Sequence, residues 1–314
     1  MRGPGQRAAR SDRRMSKFQA LDLGLVVRGH GRHYIVEDAD GQRLVCHPRG
    51  KKSDAVVGDQ VRFAESGDEG VIEAVEPRRN LLFRQDEWKT KSFAANLDQL
   101  LVLVAVEPVF SESQLARALV AAEFAGIRAA IALNKTDLPG TPEARERLAP
   151  YRAMGLTVFE VALKADREGS RATLSPWLQD QRTFVLGPSG TGKSTLINLL
   201  VDNAQAQVGE ISQALNSGRH TTTTTQWYWT DATRATALID SPGFQEFGLR
   251  QIDAAALWRY MPDLREHADC RFHNCSHIHE PGCRVRAAVE AGLISASRYR
   301  IYGEILEELQ RKSW

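Results

Sequence analysis

From about Leu21 to Pro77 the apolar residues come in short runs, β-branched and half-alternating, broken by turn signals. Gly24-Leu-Val-Val-Arg28, Tyr34-Ile-Val-Glu37, Arg43-Leu-Val-Cys-His47, Gln60-Val-Arg-Phe63 and Gly70-Val-Ile-Glu-Ala-Val75 read as strands, and Asp38-Ala-Asp-Gly41 reads as a turn. Five short strands in about sixty residues predict a small β-barrel. The oligonucleotide-binding barrel is the commonest choice at this size. Cys46 stands alone here as an ordinary strand residue.

The stretch Arg78 to Lys91 is charged and aromatic and reads as a linker. Beyond it strands and helices alternate. Leu100 to Val106 is a continuous apolar run, as a buried parallel strand requires. Ser111 to Gly126 reads as a helix, with Ser111 or Ser113 as its cap. Arg128 to Leu133 is a second strand, Pro142 to Met154 a helix, and Leu156 to Ala162 a third strand. Phe184 to Leu186 leads into a glycine-rich loop and a helical run, and Thr236 to Asp240 is a later strand. Repeated βα units predict a doubly wound parallel sheet with ligands at the carboxyl ends of its strands. The last segment holds a cysteine cluster and a helical tail, Ala287 to Ser313. The expected division is a basic arm over 1–17, a barrel over 18–85, an α/β domain over 92–248 and a C-terminal domain over 249–314.

Composition changes this picture little. Hydrophobic residues make up 42% and charged residues 25%, ordinary for a globular chain. The longest clean apolar run is far shorter than a membrane span. The first residues are polar and arginine-rich with no apolar segment, which argues against a secretory signal and for the cytoplasm. Net charge is +2 but uneven. Arg2, Arg7, Arg10, Arg13, Arg14 and Lys17 face only Asp12 in the first 17 residues. Such an arm reads as disordered, and it suits either nucleic-acid contact or plain solvation.

Candidate chemistry centres on Gly187-Pro188-Ser189-Gly190-Thr191-Gly192-Lys193-Ser194-Thr195, which fits the phosphate-loop pattern without a mismatch. Its glycines let backbone N–H groups turn inward around a phosphate, and the helix that follows points its positive end there. Lys193 has the reach for the β- and γ-phosphates, and the Ser194 hydroxyl suits Mg²⁺.

Asn134-Lys135-Thr136-Asp137 matches the Asn-Lys-x-Asp pattern of guanine readers. Guanine presents two neighbouring donors that one carboxylate, Asp137, can accept. Adenine presents an acceptor there and would leave lone pairs unpaired. The Lys135 stem can lie along the base, and Asn134 can tie loops together. Asp240-x-x-Gly243 has the form of a Mg²⁺-side and γ-phosphate-sensing motif, with Asp240 acting through water and Gly243 through its N–H. Between these motifs runs His220-Thr-Thr-Thr-Thr-Thr225. A threonine there, Thr221 or Thr222, can close onto Mg²⁺ and the γ-phosphate as a switch. Many GTPases carry a glutamine just after Asp-x-x-Gly; here Phe244 stands, so another group must orient water, and His220 is the candidate. The guanine motif precedes the phosphate loop, which is the reverse of the usual order and marks a circular permutation.

Cys270-x4-Cys275-x-His277-x5-Cys283 offers three thiolates and one imidazole. Such a set suits one tetrahedral, structural Zn²⁺, worth on the order of 10 kcal/mol to a small domain. His273 and His279 rival His277 on spacing alone. Arg284, Arg286, Arg298 and Arg300 with Tyr299 and Tyr302 suggest either an RNA surface or a solvated helix face.

Together these motifs, with Asn96-Leu-Asp98, make the chain resemble the circularly permuted, ribosome small-subunit-dependent GTPases of the RsgA/YjeQ type. The resemblance covers nearly everything after the arm. It implies a multidomain fold: an N-terminal all-β OB-type barrel, a central α/β P-loop GTPase domain (circularly permuted) and a C-terminal, mostly α zinc-binding domain. It implies Cys270, Cys275, His277 and Cys283 as zinc ligands, GTP with Mg²⁺ as substrate and GDP as product. It further implies binding to the 30S subunit and its 16S rRNA, a role late in subunit maturation, and hydrolysis stimulated by that subunit. No membrane partner and a monomeric state are expected. One departure stands out: Val161-Ala-Leu163 replaces the Ser-Ser or Ser-Ala usual near the guanine, a contact expected to run through backbone N–H groups. A non-catalytic GTP-bound RNA-binding scaffold is the alternative, which Phe244 permits. An ATP-dependent kinase or ATPase is a third reading, against which Asp137 argues.

Overall fold

The computed structural model describes residues 21–50, 54–202, 225–241 and 247–311. The basic arm, His220, Thr221, Thr222, Gly243 and Phe244 lie outside them. Strands β1 (Asp22–His30), β2 (His33–Glu37), β3 (Arg43–Pro48), β4 (Gln60–Ser66) and β5 (Glu69–Val75) form the barrel. Their order is β1-β2-β3-β5-β4, and β4 pairs back onto β1. Only the β3–β5 pair is parallel. Alternation places Val26, Val36, Cys46, Val61, Phe63 and Ile72 in the interior, as period-2 patterning requires.

The expected linker is in fact a hairpin, β6 (Leu81–Gln85) with β7 (Thr90–Ala95). Its charged turn masks the alternation that buries Leu82 and Phe93. Gly58 fixes the neighbouring barrel loop. Its φ is +90°, and a Cβ there would run into the Ala95 carbonyl, so only glycine fits without strain.

The α/β domain is built from β8 (Gln99–Ala105), α1 (Glu112–Phe124), β9 (Arg128–Asn134), α2 (Thr141–Ala153), β10 (Thr157–Glu160), α3 (Arg167–Leu178), β11 (Arg182–Leu186), α4 (Lys193–Leu200), β12 (Gln226–Trp229) and β13 (Ala237–Asp240). Its strand order is β10-β9-β8-β11-β13-β12. All pairs are parallel except β12–β13. Every residue of β8 is buried, which explains its unbroken apolar run. Ser111 is the cap of α1, its side chain accepting from the Gln114 N–H. Helix α3 and strand β12 carry too little apolar periodicity to stand out in the sequence.

The barrel joins this sheet through Arg28 opposite Gln226 on β12. Buried Glu37 reinforces the joint. It accepts from Trp229 Nε1 at 2.7 Å and from Arg43 Nε at 2.8 Å.

The C-terminal region follows as a 3₁₀ helix (Ala254–Tyr260), α5 (Pro262–Arg265), α6 (Arg284–Glu290) and α7 (Ala296–Gln310). The helical tail read as continuous is broken at Gly292, whose φ is +75°, and restarts at the Ser295 cap. The region shares one core with β8, β11 and α1: Phe184, Leu115, Phe247, Leu257, Ile301 and Ile305 belong to the same cluster. Leu174, Leu196, Ile197 and Tyr228 belong to a second cluster, on the α3 and α4 side. Among the described residues no helix is long and apolar enough to cross a membrane.

Arg298 and Tyr302 are not surface groups, contrary to the RNA-surface reading. They are 2% and 1% exposed. Arg298 donates to both oxygens of Asp263, at 2.8 and 2.9 Å, and its guanidinium lies 5.2 Å from the centre of the Tyr151 ring on α2. Arg284 and Arg300 remain exposed.

Asp263→Asn leaves this guanidinium buried without its counter-charge, so a stability loss of about 3–5 kcal/mol is expected. Replacing both partners (Asp263→Leu with Arg298→Met) should recover most of it. Thermal melting of the full chain tests this, and an Asp263→Asn protein as stable as its parent would show that the pair contributes nothing.

Candidate functional site

Three strand ends and the loop before α4 meet around a cavity of about 640 Å³. Its lining includes Asn134, Lys135 and Asp137 from the end of β9, and Ser189, Gly190, Gly192, Lys193, Ser194 and Thr195 from the phosphate loop. Asp240 and Ser241 come from the end of β13. Gly187, Pro188, Thr191 and Thr136 stand behind this wall. Gly187 is tight against β8, where a Cβ would strike the Leu103 carbonyl. Thr191 donates its hydroxyl to Pro188 O at 2.9 Å. Thr136 binds Val161 O through both N–H and hydroxyl, at 3.2 and 3.1 Å.

Asn134 holds the loops together. Its Nδ2 donates to Thr191 O at 2.8 Å, and its Oδ1 accepts from Leu163 N–H at 3.0 Å. Gly192 sits at φ +106°, and a Cβ there would run into Asn134 Nδ2. The guanine-loop lysine, Lys135, adopts φ +64° and donates its ammonium to Glu107 O, which fixes its stem along the rim. Asp137 is exposed on the cavity wall.

Lys193 donates to Gly187 O at 2.6 Å and Pro188 O at 3.1 Å, so its ammonium already lies inside the loop it would serve. Burial lowers its pKa, and the nearby Asp240 opposes that shift. Burial raises the Asp240 carboxyl to about 6, against the pull of Lys193 and the Ser241 N–H. Asp240 Oδ1 is buried and has no hydrogen-bond partner among the described residues. A buried carboxylate beside one lysine, with an open acceptor, has the chemistry to hold a hydrated divalent cation.

The 161–163 loop departs from expectation. Val161 N–H donates to Leu133 O, Ala162 N–H to Ser170 Oγ and Leu163 N–H to Asn134 Oδ1, at 2.9, 3.1 and 3.0 Å. These three N–H groups are spent inside the protein. Lys164, the next residue, lines the cavity. It went unnoticed in the sequence, although its position just after the variant loop was a usable signal. Ser241 was also missed; its hydroxyl donates to Val185 O at 2.9 Å and locks the end of β13 onto β11.

A second cluster lies in the C-terminal region. One ligand atom from each of Cys270, Cys275, His277 and Cys283 falls within 4.8 Å of the others. The Cys270 and Cys283 sulfurs are each 3.6 Å from His277 Nδ1 and 3.9 Å apart. These are about the edge lengths of a tetrahedron around an ion with 2.3 Å bonds to sulfur. The set could hold one metal ion. His277 takes φ +63°, and its carbonyl accepts from Tyr299 OH at 2.7 Å. His273 and His279 are not members of the cluster.

A family model described as RsgA GTPase matches residues 75–250. A Variovorax paradoxus protein named "Small ribosomal subunit biogenesis GTPase RsgA" is 61% identical over 300 residues, covering 94% of each chain. A Paraburkholderia phymatum protein of the same name is 49% identical over 312 residues, covering 98% of each. Among solved structures, YjeQ from Thermotoga maritima superposes with a TM-score of 0.71 at 30% identity, covering 93% of this chain and 99% of that one. YloQ, titled a circularly permuted GTPase, gives 0.68 at 26% identity, with 95% and 98% covered.

The raised Asp240 carboxyl has a thermodynamic consequence for the nucleotide-free protein. Its contribution to folding is full below about pH 3.8 and is lost as pH rises through about 6, because the folded state then holds a buried charge. Asp240→Asn should therefore raise the melting temperature at neutral pH, by at most about 2–3 kcal/mol of stability, and the gain should vanish below about pH 4. A variant that melts lower than its parent at neutral pH would refute the burial account.

Proposed function

The chain belongs to the RsgA GTPase family, and on that premise we propose that it hydrolyses GTP to GDP and phosphate on the 30S ribosomal subunit, late in that subunit's maturation. The observation that carries the reading is the single cavity shared by the guanine loop, the phosphate loop and Asp240. No one of these three would specify GTP chemistry alone. The same reading makes the protein a cytoplasmic monomer whose partner surface is 16S rRNA.

In this reading Asp137 accepts from the guanine edge and Lys135 lies along the base. The phosphate-loop N–H groups and the positive end of α4 surround the phosphates. Lys193 turns from the loop carbonyls to the β- and γ-oxygens. Ser194 and Asp240 would hold Mg²⁺, Asp240 through water, and the chemistry such an ion would supply is neutralisation of phosphate charge. Thr221 or Thr222 and the Gly243 N–H complete the γ-phosphate side. His220 orients the attacking water, since Phe244 cannot. Cys270, Cys275, His277 and Cys283 hold one Zn²⁺, a closed four-ligand site with a structural role.

The chain order gives the proposal its mechanical logic. After Asp240 and the residues to 246 the backbone meets the hairpin. Gln85 N–H donates to Gly248 O at 3.3 Å, and Arg250 N–H donates to Gln85 O at 3.0 Å. It then enters the 3₁₀ helix and the cysteine cluster. A change of nucleotide state at the end of β13 thereby reaches the hairpin and the C-terminal region along a few residues of chain.

Phe244 favours one other reading, a scaffold that keeps GTP as a structural ligand. Turnover with purified subunits separates the two. GTP hydrolysis should rise by roughly a hundredfold or more with 30S subunits, but not with 50S subunits, and Lys193→Ala should abolish the rise. Equal, slow rates under all three conditions would leave the scaffold.

Zinc has its own test. The purified chain should carry one zinc per molecule, and Cys275→Ser should lose it. Chelation should lower the melting temperature of the parent far more than that of the variant. A metal-free parent with an unchanged melting curve would exclude a structural ion.

A further inference from the structure

Three residues stand in one row across three strands and two parts of the fold. Arg28 on β1 is opposite Gln226 on β12, and Gln226 is opposite Asp240 on β13. Directly opposed residues of antiparallel strands project to the same face, with Cβ atoms about 4.5–5.5 Å apart. That face is the one covered by α4. The next opposed pair on it, Tyr228 and Leu238, packs in one cluster with Leu196 and Ile197.

The polar ends of this row are buried and unpaired. Gln226 is 3% exposed and Asp240 6%. Gln226 Nε2, Asp240 Oδ1 and the Nε and Nη1 atoms of Arg28 have no hydrogen-bond partner among the described residues. A buried donor left beside a buried acceptor costs free energy in both groups until they meet. Here the donor and acceptor sit on neighbouring strands, within side-chain reach of each other.

We propose that, when Mg²⁺ and GTP are bound, Gln226 is a positioning residue for Asp240, donating Nε2–H to the Oδ1 that is unpaired in the nucleotide-free protein, and that Arg28 of the barrel then braces Gln226 by donating to its Oε1. The carboxylate is thereby fixed at Oδ1, and its second oxygen, beside the Ser241 N–H, keeps a lone pair for the water of a bound Mg²⁺. The barrel, through Arg28, becomes part of the support of the nucleotide site. This inference rests on the reading of Asp240 as the Mg²⁺-side acid of a GTP site.

Gln226→Met keeps the length and bulk of the side chain and removes the donor. GTP binding to the full chain is measured across a Mg²⁺ titration, with melting of the nucleotide-free protein alongside. The Mg²⁺ concentration at half-saturation should rise about tenfold, the effect of one hydrogen bond to a charged group. Affinity for GTP in the presence of a chelator should stay at the parental value. The nucleotide-free variant should melt at the parental temperature or above it, because an unpaired buried donor has gone. Arg28→Met should move the Mg²⁺ requirement the same way by less, and the double variant should exceed Gln226→Met by less than Arg28→Met shifts alone. An unchanged Mg²⁺ requirement in Gln226→Met overturns the proposal, and so does an equal loss of GTP affinity with and without Mg²⁺. Fully additive shifts overturn the bracing by Arg28. A parent chain whose GTP binding ignores Mg²⁺ removes the reading of Asp240 itself, a failure distinct from that of Gln226.

Discussion

The site depends on the buried amide of Asn134. One side chain at the end of β9 holds the phosphate loop by its Nδ2 and the 161–164 loop by its Oδ1. Its backbone carbonyl receives Val106 N–H from the end of β8. At 4% exposure these bonds exchange little with water, so losing one leaves a buried polar atom unpaired rather than rehydrated. The same amide explains Gly192, since the space a Cβ would fill is already taken by Asn134 Nδ2. Guanine loop and phosphate loop are far apart in the chain and reversed from the usual order. They can still build one cavity because a side chain, rather than a chain connection, joins them.

Reordering the chain leaves the sheet unchanged and alters what each strand end is tied to. In this order β13 is followed, after a few residues, by the segment that pairs with Gln85 of the hairpin. A Cβ at Gly248 would strike both Gln85 O and Asp86 Oδ1, so that pairing is closer than any other residue would permit. Phe247 stacks on Phe93 of the same hairpin, with 5.6 Å between ring centres. Phe93 in turn lies 6.0 Å from Phe184 of β11, the strand that leads into the phosphate loop. Backbone pairing and aromatic packing thus close a short circuit between the strand before the phosphate loop and the exit from β13. The C-terminal region is set against α2 by Arg298, which Asp263 holds over the Tyr151 ring, and shares the main core, so it has little freedom to turn as a separate body.

Much of this was legible in the sequence because the signals were local. The five barrel strands show as short runs between turns, β8 as an unbroken apolar run, and the phosphate loop and guanine motif as fixed spacings. What escaped has identifiable causes. The hairpin hides behind Asp86-Glu87-Trp88-Lys89, whose charges mimic a linker. Helix α3 buries only Ser170, Leu174 and Leu178 and carries Pro176, so its apolar stripe is thin. The break between α6 and α7 turns on Gly292, a single left-handed residue. Arg298 and Tyr302 looked like surface chemistry because residue type says nothing about the direction of a helix face. That direction is set by the shared core. The row from Arg28 to Asp240 was invisible for a related reason: register between distant strands is a property of the assembled sheet.

The way the barrel is attached follows from its chemistry. Its strands continue those of the sheet, but only one register pair joins β1 to β12. The ladder there is short, but Val27, Ile35 and Val57 of the barrel are buried in the main core with Leu82, Phe93 and Trp227, and polar groups add directional contacts to that burial. Glu37 gathers Trp229 and Arg43 around one buried carboxylate, while Asn96 Nδ2 donates to Gly58 O at 2.9 Å on the hairpin side. Such contacts are directional and lose strength quickly with misalignment, whereas apolar contact tolerates sliding. An edge strand capped in this way is also protected from pairing with another chain. The strand chosen for the joint is the one hydrogen-bonded to β13, so the barrel and Asp240 are anchored on the same strand. A module docked on the outer edge of the opposite strand, β10, would have had four strands between it and that carboxylate. On β12 it has one.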